Sequence, residues 1–214
     1  MRFGICIPNF RPGTGPETML AATQTAERLG WHSAFTTDHI LVDSAERGAD
    51  YRHIYEALTS IAWLAGQTTT IRLGMSVLVA PMRNAVIMAK ELATIDDLSD
   101  GRLIAGVGIG WNRTEFENLG EGERFSHRGV WLEETIALWR HLWGGGEGPY
   151  VGRFDSFTEG YFSPRPPQGA ELPIWIGATA EKALLRAGRI ADGYHSTRAD
   201  PEIMRERMRI VGEA

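Results

Sequence analysis

Short apolar runs alternate along the chain with longer stretches whose apolar residues recur every three or four positions, a pattern that predicts strands and helices taking turns. Residues 3–8 form one such run, ending in proline and followed by the turn-rich Arg11-Pro12-Gly13-Thr14-Gly15, so they read as a buried strand feeding a loop. Pro16 and Glu17 then suit a first helical turn, Met19, Ala22, Ala26 and Leu29 share one face, and Gly30 stops the helix. The unit repeats with a strand over 33–37, a long loop over 38–53 and a helix carrying Ile54, Leu58, Ile61 and Leu64 on one stripe. Residues 71–79 are the longest strand-like run. Asn84 suits a helix cap before Ala85, Met88, Leu92 and Ile95, Ser99-Asp100-Gly101 closes that helix, and 103–107 follow as a fourth strand.

Strands recurring every ~30 to 40 residues are the signature of parallel βαβ units. The rhythm breaks after the fourth. Residues 109–126 read as loop and short helix, 127–143 as a longer helix aligning Trp131, Thr135, Leu138 and Leu142, and Gly144-Gly145-Gly146 as its end. Residues 147–172, rich in glycine, proline and aromatics, read as an inserted excursion with a small hairpin. A fifth strand over 173–177, a helix over 181–187, a sixth strand over 192–195 and a last helix opened by Asp200-Pro201-Glu202 complete the chain. The expected fold is therefore an α/β TIM-barrel type of about six βα units, two short of closure, in a single domain over residues 1–214. Such an open sheet leaves strand edges that self-association would cover.

Composition narrows the function classes. The 214 residues are 43% hydrophobic, and 27 acids against 22 Lys plus Arg give a net charge of −5 with no basic run, so nucleic acid is not an expected partner. The longest apolar runs, such as Val77-Leu78-Val79-Ala80, fall far short of the ~20 residues that span a bilayer, so no membrane segment is expected. Cys6 stands alone and the first residues lack the apolar stretch of a secretory signal, which makes the cytoplasm the expected compartment. No metal-ligand spacing, nucleophile elbow or Walker loop is present.

In a barrel of this type the active site lies at the C-terminal ends of the strands. Asp38-His39 falls there: a carboxylate beside an imidazole suits cofactor positioning and proton transfer, though a loop-capping Asp and a packing His would look the same. Gly74-Met75-Ser76-Val77 reads as a bulge that lets backbone approach a flat ligand, or simply as a strand tolerating a glycine. Gly106, Gly108 and Gly110 fail the dinucleotide fingerprint, whose third glycine would fall on Trp111, and suit close approach at a barrel mouth instead. Gly177-Ala178-Thr179 offers amides, a hydroxyl and a helix start that suit a phosphate, or ordinary turn chemistry. Trp63, Trp131, Trp139 and Trp143 read as core or interface, Trp111 and Trp175 as pocket walls.

In order along the chain, Phe3-Gly4, Asp38-His39, Gly74-Met75-Ser76-Val77, Ala80-Pro81-Met82-Arg83-Asn84, Asp100-Gly101-Arg102, residues 106–111, Pro173-Ile174-Trp175-Ile176-Gly177 and Ala191-Asp192-Gly193 resemble the bacterial luciferase-like superfamily. Within it the chain is most similar to the branch that uses the deazaflavin F420. The resemblance implies a (β/α)₈ scaffold, usually a homodimer, holding a reduced flavin or deazaflavin at its C-terminal mouth. It implies Asp38 and His39 beside the ring, with His39 the proton donor, and a non-prolyl cis peptide at Ser76-Val77 behind it. It also implies cofactor contacts from Ile109 and Gly110, and from Gly177 and Ala178, with Thr179 beside them, near the phosphate. The activity implied is hydride transfer between F420 and a small organic substrate, the alternatives being an FMN-dependent monooxygenase or a non-catalytic flavin-binding dimer with an abbreviated barrel. Two departures stand out. Sugar-phosphate dehydrogenases of the branch carry a glutamate where this chain has Trp111, and the last two βα units of the family have no counterpart in these 214 residues.

Overall fold

The computed structural model describes residues 2–43, 48–197 and 199–214. β1 (Gly4–Cys6) leads through α1 (Pro16–Arg28) to β2 (Ser33–Thr36), then through α2 (Ala57–Ala65) to β3 (Arg72–Met75). β4 (Leu78–Val79), α3 (Ala85–Leu98) and β5 (Leu103–Gly108) follow, then α4 (Arg113–Asn118) and α5 (Arg128–Trp143). The excursion holds the antiparallel pair β6 (Tyr150–Val151) and β7 (Ser156–Phe157), and β8 (Ile174–Gly177), α6 (Glu181–Ile190), β9 (Gly193–His195) and α7 (Pro201–Gly212) close the order. The main strands pair in parallel in the order β1-β2-β3-β5-β8-β9, with β4 also on β5, and curl into an open half-barrel whose strand tips all point one way. The sequence rhythm thus becomes the observed architecture.

Two elements differ from the pattern. The run 71–79 is not one strand: it breaks at Ser76-Val77, a non-prolyl cis peptide as the resemblance implied. β3 pairs with β5 through Leu73↔Leu103, whereas β4 meets it farther along at Leu78↔Val107. Gly74 is not the cause, since a Cβ there would lie 3.0 Å from the Phe35 ring and 2.5 Å from the Ile104 carbonyl; its bareness makes room for Phe35. Second, α2 starts at Ala57, because Ile54 is used in an isolated antiparallel bridge to Phe10. Of the expected loop over 38–53, residues 44–47 lie outside the described residues.

β5 is buried along its whole length, sandwiched between the barrel interior and the helices. On the helix side Trp139 and Trp143, one turn apart on α5, donate their indole N–H groups to the carbonyls of Ala85 and Ala89, one turn apart on α3, at 2.9 and 3.1 Å. Alanine at both α3 positions lets the two helices come close enough for large indoles to keep their polar atoms satisfied. Trp63, also read as core or interface, lies outside the core and is 36% exposed.

At the opposite end from the strand tips, Arg102 ties the connections together. Its guanidinium donates to the carbonyls of Ser99, Ile71, Ala65 and Thr68 and to the Thr68 hydroxyl, at 2.6 to 3.1 Å. Asp100 and Gly101, both at positive φ, reverse the chain so that Arg102 points back under α2. An Arg102→Met variant leaves these carbonyls without their charged donor, and we expect it to lose about 3 kcal/mol of unfolding free energy, checked by urea denaturation.

Candidate active site

A cavity of about 430 Å³ opens at the strand tips, and Asp38, His39, Ser76, Val77, Ile109, Gly110, Gly177, Ala178 and Thr179, the residues expected to touch a cofactor, all line it. Its floor is set by packing. Val77 projects between β5 and β8, so that a Cβ on Gly108 would lie 2.5 Å from Val77 Cγ2 and one on Gly177 would lie 2.6 Å from Val77 Cγ1. Glycine at both positions gives the cavity a flat wall of backbone and a single branched side chain. Gly110, at φ +72°, turns the chain away toward Trp111, where a Cβ would strike Val79 at 2.6 Å.

The adjacent residues Asp38 and His39 do different work. Asp38 is buried, its carboxylate accepting from Val79 N at 2.9 Å and from the Arg83 guanidinium at 2.8 Å, so it fixes the segment just after the Ser76-Val77 break. Burial pushes the Asp38 carboxyl up, opposed by the Arg83 charge and the Val79 amide. His39 instead presents its ring to the cavity between Tyr51, with centroids 4.1 Å apart, and Trp111, at 5.6 Å.

Behind His39 stands a residue that sequence reasoning passed over. Glu115, 2% exposed at the side chain, lies 2.8 Å from His39 Nδ1 through Oε2, and its Oε1 accepts from Ile40 N at 2.6 Å. Asn112 Oδ1 accepts from Glu115 N at 3.0 Å and so caps α4. Asn-x-x-Glu is the spacing of a capping box, in which the glutamate would reach back to its own helix; here it reaches across to the loop after β2. Tyr51 lies far from His39 in sequence and carried no local signal.

The other side of the cavity suits an anion. The first turn of α6 has no side-chain cap, Thr179 lines the cavity, and Arg128 enters it from α5 with its guanidinium 3.9 Å from the Phe125 ring centroid. Arg128 Nε is buried without a protein partner among the described residues. A larger cavity, of about 620 Å³, lies beside Arg124 and Trp131 away from the strand tips, but the Arg124 guanidinium is already engaged by the carbonyls of Pro81 and Arg83 and by Glu121. Among the described residues no cluster of side chains could hold a metal ion, and no helix is long and apolar enough to cross a membrane.

Deep in the site, His195 meets Phe35 and Trp175 ring to ring, each at 5.0 Å, and its Nδ1 lies 3.5 Å from Ser76 Oγ. Trp175 turns out to line this barrel interior rather than the cavity at the tips. Burial pushes the His195 imidazole down to about 4, so it is neutral in the fold where an unfolded chain would hold a proton up to its ordinary 6.5. A histidine with a depressed folded pKa stabilises fully above 6.5 and loses that contribution as pH falls toward 4. Between pH 7 and 5 the native chain should therefore lose about 2 kcal/mol more stability than a His195→Gln variant, measured by urea denaturation at the two pH values.

Comparison with known proteins agrees with this geometry. The profile of the luciferase-like monooxygenase family matches residues 1–214. An F420-dependent glucose-6-phosphate dehydrogenase of Microbacterium testaceum is 32% identical over 196 residues, covering 91% of this chain and 56% of its own, so the chain spans little more than half the length of that relative. Among solved structures, the monooxygenase RslO1 of Streptomyces bottropensis superposes with a TM-score of 0.81 at 21% identity, over 100% of this chain and 65% of its own. The coenzyme F420 dependent tetrahydromethanopterin reductase of Methanopyrus kandleri does so with a TM-score of 0.79 at 22% identity, over 99% and 60%. At those identities the structures speak for the fold.

Proposed function

Because the chain belongs to the luciferase-like monooxygenase family, we propose that its cavity at the strand tips holds the deazaflavin F420 and that the protein is an F420-dependent oxidoreductase acting on a small organic substrate. The observation that carries the reading is the shape and polarity of that cavity. About 430 Å³ falls within the ~300 to 1,000 Å³ of small-molecule sites, and a flat wall at Val77, Gly108 and Gly177 lies between a histidine on one side and an uncapped helix start on the other. The F420-dependent relative supports the choice of cofactor.

When bound, F420 would supply the hydride chemistry of its ring. The chain's own residues orient and exclude. Ser76, Val77, Ile109 and Gly110 wall the ring site, and Asp38 keeps that wall in place through Val79. Gly177, Ala178, Thr179 and Arg128 take the anionic tail. His39 holds or moves the substrate proton at Nε2, the ring nitrogen left for the cavity once Nδ1 is engaged by Glu115. The resemblance places Trp111 where sugar-phosphate dehydrogenases of the branch carry glutamate, so we propose no sugar phosphate as the substrate.

Fluorescence titration of the chain with F420 and with FMN tests the reading: micromolar F420 binding is expected, and failure to bind either would leave only a non-catalytic barrel. Should FMN bind and its reduced complex consume oxygen, the monooxygenase assignment replaces ours. With a substrate in hand from a panel of alcohols and carbonyl compounds, His39→Ala should keep F420 affinity and lose about 10²- to 10⁴-fold in kcat.

We further infer a homodimer. The packed pair α2 and α3 exposes Trp63, Val86 and Ile87, apolar side chains that a second copy would bury. Light scattering should give twice the chain mass, and a Trp63→Lys, Ile87→Lys double variant should give one; a native chain of single mass rejects the dimer.

A further inference from the structure

We propose that Glu115 is a positioning residue that locks the neutral His39 ring in its Nδ1–H tautomer, leaving Nε2 as a bare lone pair toward the cavity. The inference rests on the proposed redox site only for its use; the tautomer itself is a property of the chain.

Glu115 is held from several directions. Asn112 Oδ1 takes its backbone N–H at 3.0 Å, and Asn112 Nδ2 donates in turn to Asp43 at 3.0 Å, while Asn118 Nδ2 on the same helix donates to the Leu41 carbonyl at 3.0 Å. The helix is thereby tied to the segment that carries His39. The Ile40 N–H occupies Oε1 at 2.6 Å, and the remaining oxygen, Oε2, lies 2.8 Å from His39 Nδ1, with both side chains almost wholly buried. An ionised carboxylate offers only acceptor sites, so the proton of this contact sits on Nδ1. Free imidazole side chains in water favour the opposite form, with the proton on Nε2. Tyr51 and Trp111 hold the ring plane, and the carboxylate chooses which nitrogen faces the cavity ready to accept.

Glu115→Gln should reverse the choice. The Ile40 N–H still requires an oxygen at its side of the group, which turns the Gln amide NH₂ toward His39 Nδ1; Nδ1 then accepts, and the ring proton moves to Nε2. Long-range ¹H–¹⁵N correlation on histidine-labelled chain without cofactor, above the ordinary histidine range of about 6.5, reads the tautomer directly, with His39 assigned by its loss in His39→Gln. The expected result is a protonated Nδ1 and a bare Nε2 in the native chain, exchanged in Glu115→Gln. Nε2–H in the native chain, as a protonated Glu115 would give, or an unchanged pattern in the variant, overturns the proposal. If the variant does not fold, the native spectrum decides alone. F420 titration of the same sample separates the two readings: the Nδ1–H form without F420 binding sinks the proposed function and spares this one, and binding with the Nε2–H form does the reverse.

Discussion

Everything at the strand tips depends on one steric constraint, the fit of Val77 against two bare α-carbons. Its two methyl groups fill the space where side chains on Gly108 and Gly177 would begin, at 2.5 and 2.6 Å from their ideal Cβ positions. This seats the residues after β3 across β5 and β8 and lets β4 resume pairing with β5 at Leu78↔Val107. The segment needs a second anchor, because its amides no longer follow a regular ladder. Asp38 supplies it by accepting the Val79 N–H, with Arg83 balancing the buried charge. Methyl groups on one side and a carboxylate on the other thus fix a piece of backbone that neither strand pairing nor helix packing would hold.

The same device divides labour between neighbours in sequence. Asp38 has both oxygens committed to the scaffold, so its contribution to chemistry is the shape of the wall. His39, one residue on, has its ring in the cavity and is supported from behind by an element more than seventy residues away. A dipeptide that looks like a joint acid–base pair is in fact a structural clamp followed by a ring that faces the cavity.

Much of this was readable from the chain because parallel βα units impose a coarse rhythm and place their active residues at predictable points. Nine positions, named by strand ends together with the family resemblance, all line one cavity. What escaped notice did so for definable reasons. The break at Ser76-Val77 was implied by the resemblance, but its packing cause, the bare glycines on two other strands against Val77, carried no local signal in the run 71–79. Glu115 was hidden by Asn112, whose spacing gives a complete local explanation for a first-turn glutamate. Trp175 was assigned by its nearness to a strand end, whereas alternation along β8 decides: Ile174 and Ile176 are buried toward the helices, so Trp175 faces the barrel interior with Phe35 and His195. Arg128 comes from a helix start, outside the strand tips where charge was sought.

The two histidines of the site show how far environment separates identical side chains. His195 is surrounded by aromatic rings, its Nε2 is buried without a partner among the described residues, and desolvation drives its pKa to about 4, so at neutral pH it serves as an uncharged, space-filling group. His39 is also buried, but its Nδ1 edge faces the Glu115 carboxylate at 2.8 Å instead of apolar rings. Trp111 also lines the cavity and meets the His39 ring edge at 5.6 Å. With one histidine neutralised by burial and the other backed by Glu115, the proton transfer we propose is left to Nε2 of His39.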